Sequence, residues 1–337
     1  MEKSNCFQDF IKYSSLNVLG MIGLSCYILA DTFFVSKGLG TNGLTALNLA
    51  IPIYSFIHGS GLMIGMGGGT KYSIQKSQGK DKVANSIFSH VVAIAAIFAA
   101  VFVLIGLFFS GNIVTLLGAD ETVYQMTKTY LQVILLFAPA FLMNNVLLCF
   151  VRNDGAPQLS MTAMITGSLS NIILDYVFIF PCQMGIFGAV FATGLAPIIS
   201  MLILSSHFIK KKNQFHWIKC RLERRMAASI CSSGIPSLIT ELSSGIVIIV
   251  FNSIILGLEG NVGVAAYGVI ANLSLVIIAI YTGIAQGIQP IMSRNYGVGN
   301  HRNIQLILRY TLITMLILSV LVYMGVFLGA EQIAAIF

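Results

Sequence analysis

Long apolar runs, each about as long as a bilayer is thick, alternate along this chain with short segments that hold nearly all of its Lys and Arg. A helix needs about 20 apolar residues to cross the hydrocarbon core. Nine segments reach that length: residues 13–35, 44–67, 87–110, 130–151, 159–180, 186–209, 227–256, 264–292 and 304–328. They lack the period-2 alternation of a barrel strand and far exceed its ~10 residues. Backbone inside hydrocarbon must satisfy its own hydrogen bonds, so the expected fold is an all-α polytopic helical bundle with nine transmembrane helices.

Composition agrees with that pattern. Apolar residues make up 56% and charged residues 9% of the 337 positions, against roughly 25% charged in soluble domains, and mean hydropathy is +0.87. The net charge of +7 is sorted by loop. With the N-terminus in the cytoplasm, Lys3, Lys12, Lys71, Lys76, Lys80, Lys82, Arg152, the cluster from Lys210 to Arg225, Arg294, Arg302 and Arg309 all fall inside. Only Lys37 and Lys128 of the 19 basic residues fall outside, beside Asp120, Glu121, Glu259 and Glu331. This positive-inside bias predicts a multi-pass cell-membrane protein with a cytoplasmic N-terminus. The cluster at 210–225 is read as a solvated, orienting loop rather than a lipid or nucleic-acid site, and no nucleic-acid partner is expected. Six cysteines show no CxxC or metal-ligand spacing and are read as small apolar residues. The first apolar segment lacks an A-x-A cleavage site, so no removable signal peptide is expected.

The loop after the first segment resembles the loop after the seventh. "GLGTNGLTAL" (38–47) aligns with "GLEGNVGVAAY" (257–267), "LNLA" followed by Gly59 aligns with "ANLS" followed by Gly283, and "SQGKDKVAN" (77–85) aligns with "NYGVGNHRN" (295–303). Six helices separate the copies, an even number, so both halves enter the membrane in the same sense, as in transporters built from parallel repeats. The predicted organisation is an amino-terminal six-helix lobe (1–209), a basic cytoplasmic loop (210–226) and a partial carboxy-terminal lobe of helices seven to nine (227–337).

Three acidic residues lie within predicted spans: Asp31, Asp175 and Glu241. A charge there costs several kcal/mol unless paired or hydrated, which makes each a candidate functional group; the competing reading is a protonated carboxyl that bonds a neighbouring helix. Asp31 and Asp175 each lie about four or five residues from the outer ends of their spans, roughly 6–8 Å deep at 1.5 Å per residue. Asn171 is one helical turn before Asp175, on the same face, and Thr193 lies at comparable depth. Two carboxylates, an amide oxygen and a hydroxyl form an oxygen-rich site that can take a proton or a hard cation such as Na⁺. Glu241, within "GIPSLITELSSGIV" (234–247), is expected to stand apart, facing the cavity between the halves and attracting a cationic substrate or a second proton.

At these residues the chain resembles a known family. "LADTFFVSKGLG" (29–40), "VRNDGAPQLSM" (151–161), "NIILDYVFIFP" (171–181), "PSLITELSS" (236–244) and "GIQPIMSRNYGVGN" (287–300) are similar to the signature stretches of MATE (multidrug and toxic compound extrusion) transporters, especially the MepA-like bacterial branch. The resemblance implies a MATE-like fold of two six-helix lobes, a monomer, and a secondary active exporter of cationic, lipophilic drugs by antiport with H⁺ or Na⁺. It places the cation site at Asp31, Asn171, Asp175 and Thr193 and the seventh-helix acid at Glu241, with no catalytic residue, no metal beyond Na⁺ and no cofactor beyond the coupling ion. The family's helices ten to twelve have no counterpart here, so the chain is expected to be a truncated form, complete in its first lobe, with little transport alone.

Other readings compete. A lipid-linked sugar flippase of the related superfamily is expected to have a strongly basic cavity, whereas basic residues are nearly absent from these spans. An intramembrane aspartyl protease normally shows GxGD, which "IILDY" and "LADTF" lack. A non-transporting fragment is the third. "GMGGGTK" (65–71) lacks the order of a phosphate loop, and His58 in "HGSG" reads as a packed or cavity-facing histidine without an acid nearby in sequence. Prolines 52, 139, 197, 236 and 290 interrupt spans and can kink them.

Overall fold

A computed structural model of the chain describes residues 6–336. Among the described residues all regular structure is helical: α1 (Cys6–Ser77), α2 (Asp81–Phe108), α3 (Ser110–Leu116), α4 (Glu121–Leu136), α5 (Ala138–Asn153), α6 (Pro157–Ile179), α7 (Gly185–Ile209), α8 (Arg224–Gly297) and α9 (His301–Ile336). The first two predicted spans are the two arms of α1, two helical stretches that meet at the non-helical Gly40 (φ 68°, ψ −159°). The seventh and eighth both lie in α8. The fourth is broken: α4 and α5 meet at 47° across Phe137. Pro139 opens α5 at a position where a helix has no use for the N–H that proline lacks.

Helix ends correspond across the chain. After α1, Gly79 takes φ 73°, its N–H bonds Lys76 O at 3.0 Å, and Lys80 N–H bonds Gln75 O at 3.0 Å. After α8, Gly299 takes φ 72°, with Gly299 N–H to Tyr296 O at 3.1 Å and Asn300 N–H to Asn295 O at 2.9 Å. Both are glycine-terminated caps that satisfy orphan carbonyls, and the left-handed φ selects glycine. They fall within the aligned pair "SQGKDKVAN" and "NYGVGNHRN", two positions apart in that alignment.

The connection from α7 to α8 is pinned to the bundle. Phe215 is fully buried among Phe88 (4.8 Å), Phe208 (5.3 Å), Phe150 (5.5 Å) and Tyr72 (6.1 Å). Alternate backbone N–H groups then find side-chain acceptors: Gln214 bonds Asp154 Oδ2 (2.8 Å), His216 bonds Asn85 Oδ1 (3.0 Å) and Ile218 bonds Ser89 Oγ (2.9 Å). Asp154 is itself held by Tyr72 (3.1 Å) and by His207 Nε2 (2.8 Å). The Lys and Arg side chains of the segment remain exposed, so this loop joins a solvated charged face to an anchored apolar one.

At this basic end α8 is tied to the preceding helices. Asn153 and Gln289 exchange bonds of 3.0 and 3.2 Å, Gln289 also donates to Thr70 (2.9 Å), and Asn17 donates to Gly283 O (2.8 Å). Away from these contacts, apolar side chains such as Phe108, Leu202 and Ile173 are largely exposed, as lipid-facing positions require.

Two expectations follow. Phe215→Ala should lower stability by about 3–5 kcal/mol, as for other buried Phe truncations, read as a fall in the unfolding midpoint in detergent; an unchanged midpoint would contradict the anchor. At the start of α4, Asp120 caps Thr122 and Val123 N–H (3.0 and 3.1 Å) and accepts from the Thr122 hydroxyl (2.6 Å). These bonds, the Thr122 hydroxyl first, hold its carboxyl below the usual value. The cap's contribution is therefore complete above the unfolded value of about 3.9 and lost as pH falls through the lower folded value. Asp120→Ala should speed amide exchange at Thr122 and Val123 near neutral pH and match the parent protein below that range.

Candidate cation site

Asp31 sits on the first arm of α1, Asn171 and Asp175 on α6 and Thr193 on α7. Aromatic packing fixes these helices around them: Phe34 meets Tyr176 and Phe180, each at 6.1 Å, and Phe191 of α7 meets Phe178 at 5.7 Å and Phe137 at 5.8 Å. All four polar residues are buried, Asn171 and Asp175 completely. The Asn171 amide satisfies both neighbours in one orientation: its nitrogen donates to Asp175 Oδ2 at 3.0 Å and its oxygen accepts from Thr193 N–H at 3.2 Å. The Thr193 hydroxyl donates to Ala189 O at 3.1 Å.

The unmet groups are the informative ones. Asp31 Oδ1 and Asp175 Oδ1 are both buried without a hydrogen-bond partner among the described residues, and the two carboxylates interact electrostatically. A buried acceptor left unpaired costs about 1–3 kcal/mol, more if charged. A proton or a cation between these oxygens would remove that cost.

The tyrosines around this cluster carried no signal in the sequence. Tyr130 is buried, beside Thr193 and in the field of both carboxylates. Tyr27, near Asp31, shares a 2.6 Å hydrogen bond with the hydroxyl of Tyr54. A tyrosine in an apolar span reads as ordinary amphipathic packing, and only the fold reveals where its hydroxyl ends.

Glu241 does stand apart from the four. Its Oε2 lies 3.4 Å from Nδ1 of His58, on the second arm of α1. Sequence proximity offered His58 no acid; the packing of α8 on α1 supplies one. Arg152, placed by the sequence in an inner loop, is instead buried at the end of α5, bonded to Asn17 and in contact with Met66 and Cys149 sulfurs at 3.4 and 3.7 Å. Tyr27, Tyr54, His58, Arg152 and Thr193 all border one cavity of about 70 Å³, walled on its apolar side by Met21, Phe141 and Met164.

The family model described as MatE matches residues 18–177 and 236–337. The chain belongs to the MatE family. Among curated relatives, this MatE protein is 26% identical over 339 residues to the multidrug export protein MepA of Staphylococcus saprophyticus, covering all of this chain and 74% of the relative. It is 26% identical over 342 residues to MepA of Staphylococcus aureus strain MRSA252, with the same coverage. Among solved structures it superposes on a MATE protein in complex with MaL6 (TM-score 0.92, 24% identity, 99% of this chain and 75% of that one). It also superposes on an outward-facing multidrug resistance MATE transporter (TM-score 0.90, 24% identity, 97% and 73%). At this identity the structural likenesses establish the fold.

Asn171→Ala should leave Asp175 Oδ2 without its donor and lower stability by about 1–3 kcal/mol, measured as the unfolding midpoint in detergent. A midpoint equal to that of the parent protein would show that the bond is not made.

Proposed function

We propose that this MatE protein is a secondary active multidrug exporter that moves cationic, lipophilic compounds out of the cell by antiport with H⁺ or Na⁺. The observation that carries this reading is the pair of unpartnered, buried carboxylate oxygens of Asp31 and Asp175, set on facing helices and linked to Thr193 through Asn171. Such a pair has a reason to bind a monovalent cation and to release it only when hydration or another partner replaces it.

In this reading residues 1–209 form one lobe, 210–226 the cytoplasmic loop and 227–337 part of a second lobe, in a monomer whose N-terminus is cytoplasmic. The matching caps at Gly79 and Gly299 support the repeat. The bonds among Thr70, Asn153 and Gln289 then hold the lobes together on the cytoplasmic side. A coupling ion shifts the balance between the lobes' arrangements only through unequal affinity for them, and the Asp31/Asp175 cluster supplies that inequality if it is shaped differently in each. The MepA relatives named as multidrug export proteins agree with this substrate class. A lipid-linked sugar flippase is less well supported, because among the described residues Arg152 is the one basic residue bordering the cavity besides His58.

In a version of the protein that carries three further helices, Asp31→Asn and Asp175→Asn should each abolish ion-driven dye efflux while leaving membrane insertion intact. The assay uses vesicles under separate Na⁺ and pH gradients, which also decides between the two ions. Undiminished ion-driven efflux in both variants would overturn the proposal.

A further inference from the structure

Arg152 has no part in the Asp31/Asp175 cluster, and no acidic neighbour balances its charge. We propose that it forms a binding site for a small monovalent anion, a halide or a carboxylate, at the inner end of the cavity. The site is independent of the exporter reading: it takes the opposite charge, at a different place in the fold.

Arg152 is 2% exposed, at the end of α5. Among the described residues, basic and acidic groups meet as His58 with Glu241, Lys76 with Asp81 and His207 with Asp154, and none of these contacts includes Arg152. Asp154, two residues further on, is taken by His207, Tyr72 and the Gln214 backbone. The guanidinium therefore has neutral partners only. One terminal nitrogen donates to Asn17 Oδ1, the other meets the sulfurs of Met66 and Cys149 at 3.4 and 3.7 Å, and Nε has no partner among the described residues. Sulfur is a weak acceptor, and arginine does not escape burial by losing its proton. A buried charge without a counter-charge is costly. An anion removes that cost and accepts the unused N–H groups in charge-assisted hydrogen bonds.

The surroundings suit an anion. Asn17, which holds Arg152, also donates to Gly283 O at 2.8 Å, one turn before Gln286 of α8, which is buried and borders the same cavity. Ser200 of α7 borders it as well, 2% exposed, and its hydroxyl has no hydrogen-bond partner among the described residues. An amide and a hydroxyl are donors that an anion can use. No Asp or Glu is among the described residues that line this cavity, so nothing there repels a negative charge. Size then selects the ligand. A space of about 70 Å³ holds a halide or an acetate-sized carboxylate with water and is too small for a drug-sized compound. At 2% exposure the guanidinium is also out of reach of a lipid phosphate. With donors on α5, α7 and α8, a bound anion ties α8 to the preceding helices and stabilises this arrangement.

The test uses the full chain in nanodiscs of phosphatidylcholine, with gluconate, too bulky for the cavity, as the balancing anion at constant ionic strength. Chloride binding is read from the excess line width of the chloride NMR signal, with acetate as competitor, and the unfolding midpoint is followed in each anion. The parent protein should broaden the chloride line saturably, acetate should remove the broadening, and both anions should raise the midpoint above that in gluconate. Arg152→Gln should abolish the saturable broadening. Gln286→Ala, which keeps the charge and does not depend on the first variant folding, should weaken binding about three- to tenfold, the worth of one neutral hydrogen bond. A midpoint raised by acetate alone, and no longer raised in Arg152→Gln, would assign the site to carboxylates. No response of the parent protein to either anion, or a parent-like response in either variant, would overturn the proposal.

Discussion

Charge inside hydrocarbon must be paired, hydrated or neutralised, and this constraint organises the interior of the protein. The same constraint acts on charges buried at the basic end: Asp154 is held by His207, Tyr72 and the Gln214 backbone, and Arg152 lies in a nest of Asn17 and two sulfurs. Where it is left open, at Asp31 Oδ1 and Asp175 Oδ1, the structure holds unsatisfied acceptors that a cation can satisfy. The same fold thus separates fixed charges, which set architecture, from open ones, which are available for function.

Backbone satisfaction imposes the second layer of order. Chain turns occur where a residue can close orphan carbonyls, as at Gly79 and Gly299, or where a missing N–H does no harm, as at Pro139. The connection between α7 and α8 shows the same rule outside helices. Its alternate N–H groups are met by Asp154, Asn85 and Ser89, while Phe215 fills an aromatic pocket. The attachment continues to Glu223, whose N–H bonds His90 Nε2 at 3.0 Å, so the connection is held to the first helices up to the start of α8 at Arg224.

Much of this was legible in the chain because membranes make polar residues conspicuous. Asp31, Asn171, Asp175 and Thr193 stand out within apolar runs, and the regular rise of a helix was enough to place them at one depth. Rotation about the helix axis was not legible, and it decided the remainder. His58 and Glu241 meet because Gly59 lets α8 approach, a relation between residues on different helices with no local signature. Arg152 read as an inner loop charge because it follows the apolar run directly, yet the last turn of α5 carries it into the interior. The short junction at Gly40 and the break at Phe137 differed from expectation for local reasons: one glycine in a left-handed conformation joins two helices with a single non-helical residue, and one proline stops a helix that hydropathy alone would continue.

The central claim is that Asp31 and Asp175 share a cation. Infrared difference spectroscopy of the protein in lipid tests it most directly, because a protonated carboxyl has a C=O band that a carboxylate lacks. The account predicts a carboxylic acid band near neutral pH that disappears on raising pH or Na⁺ and is missing from the double variant Asp31→Asn, Asp175→Asn. A spectrum in which neither pH, Na⁺ nor the double substitution changes that band would contradict it.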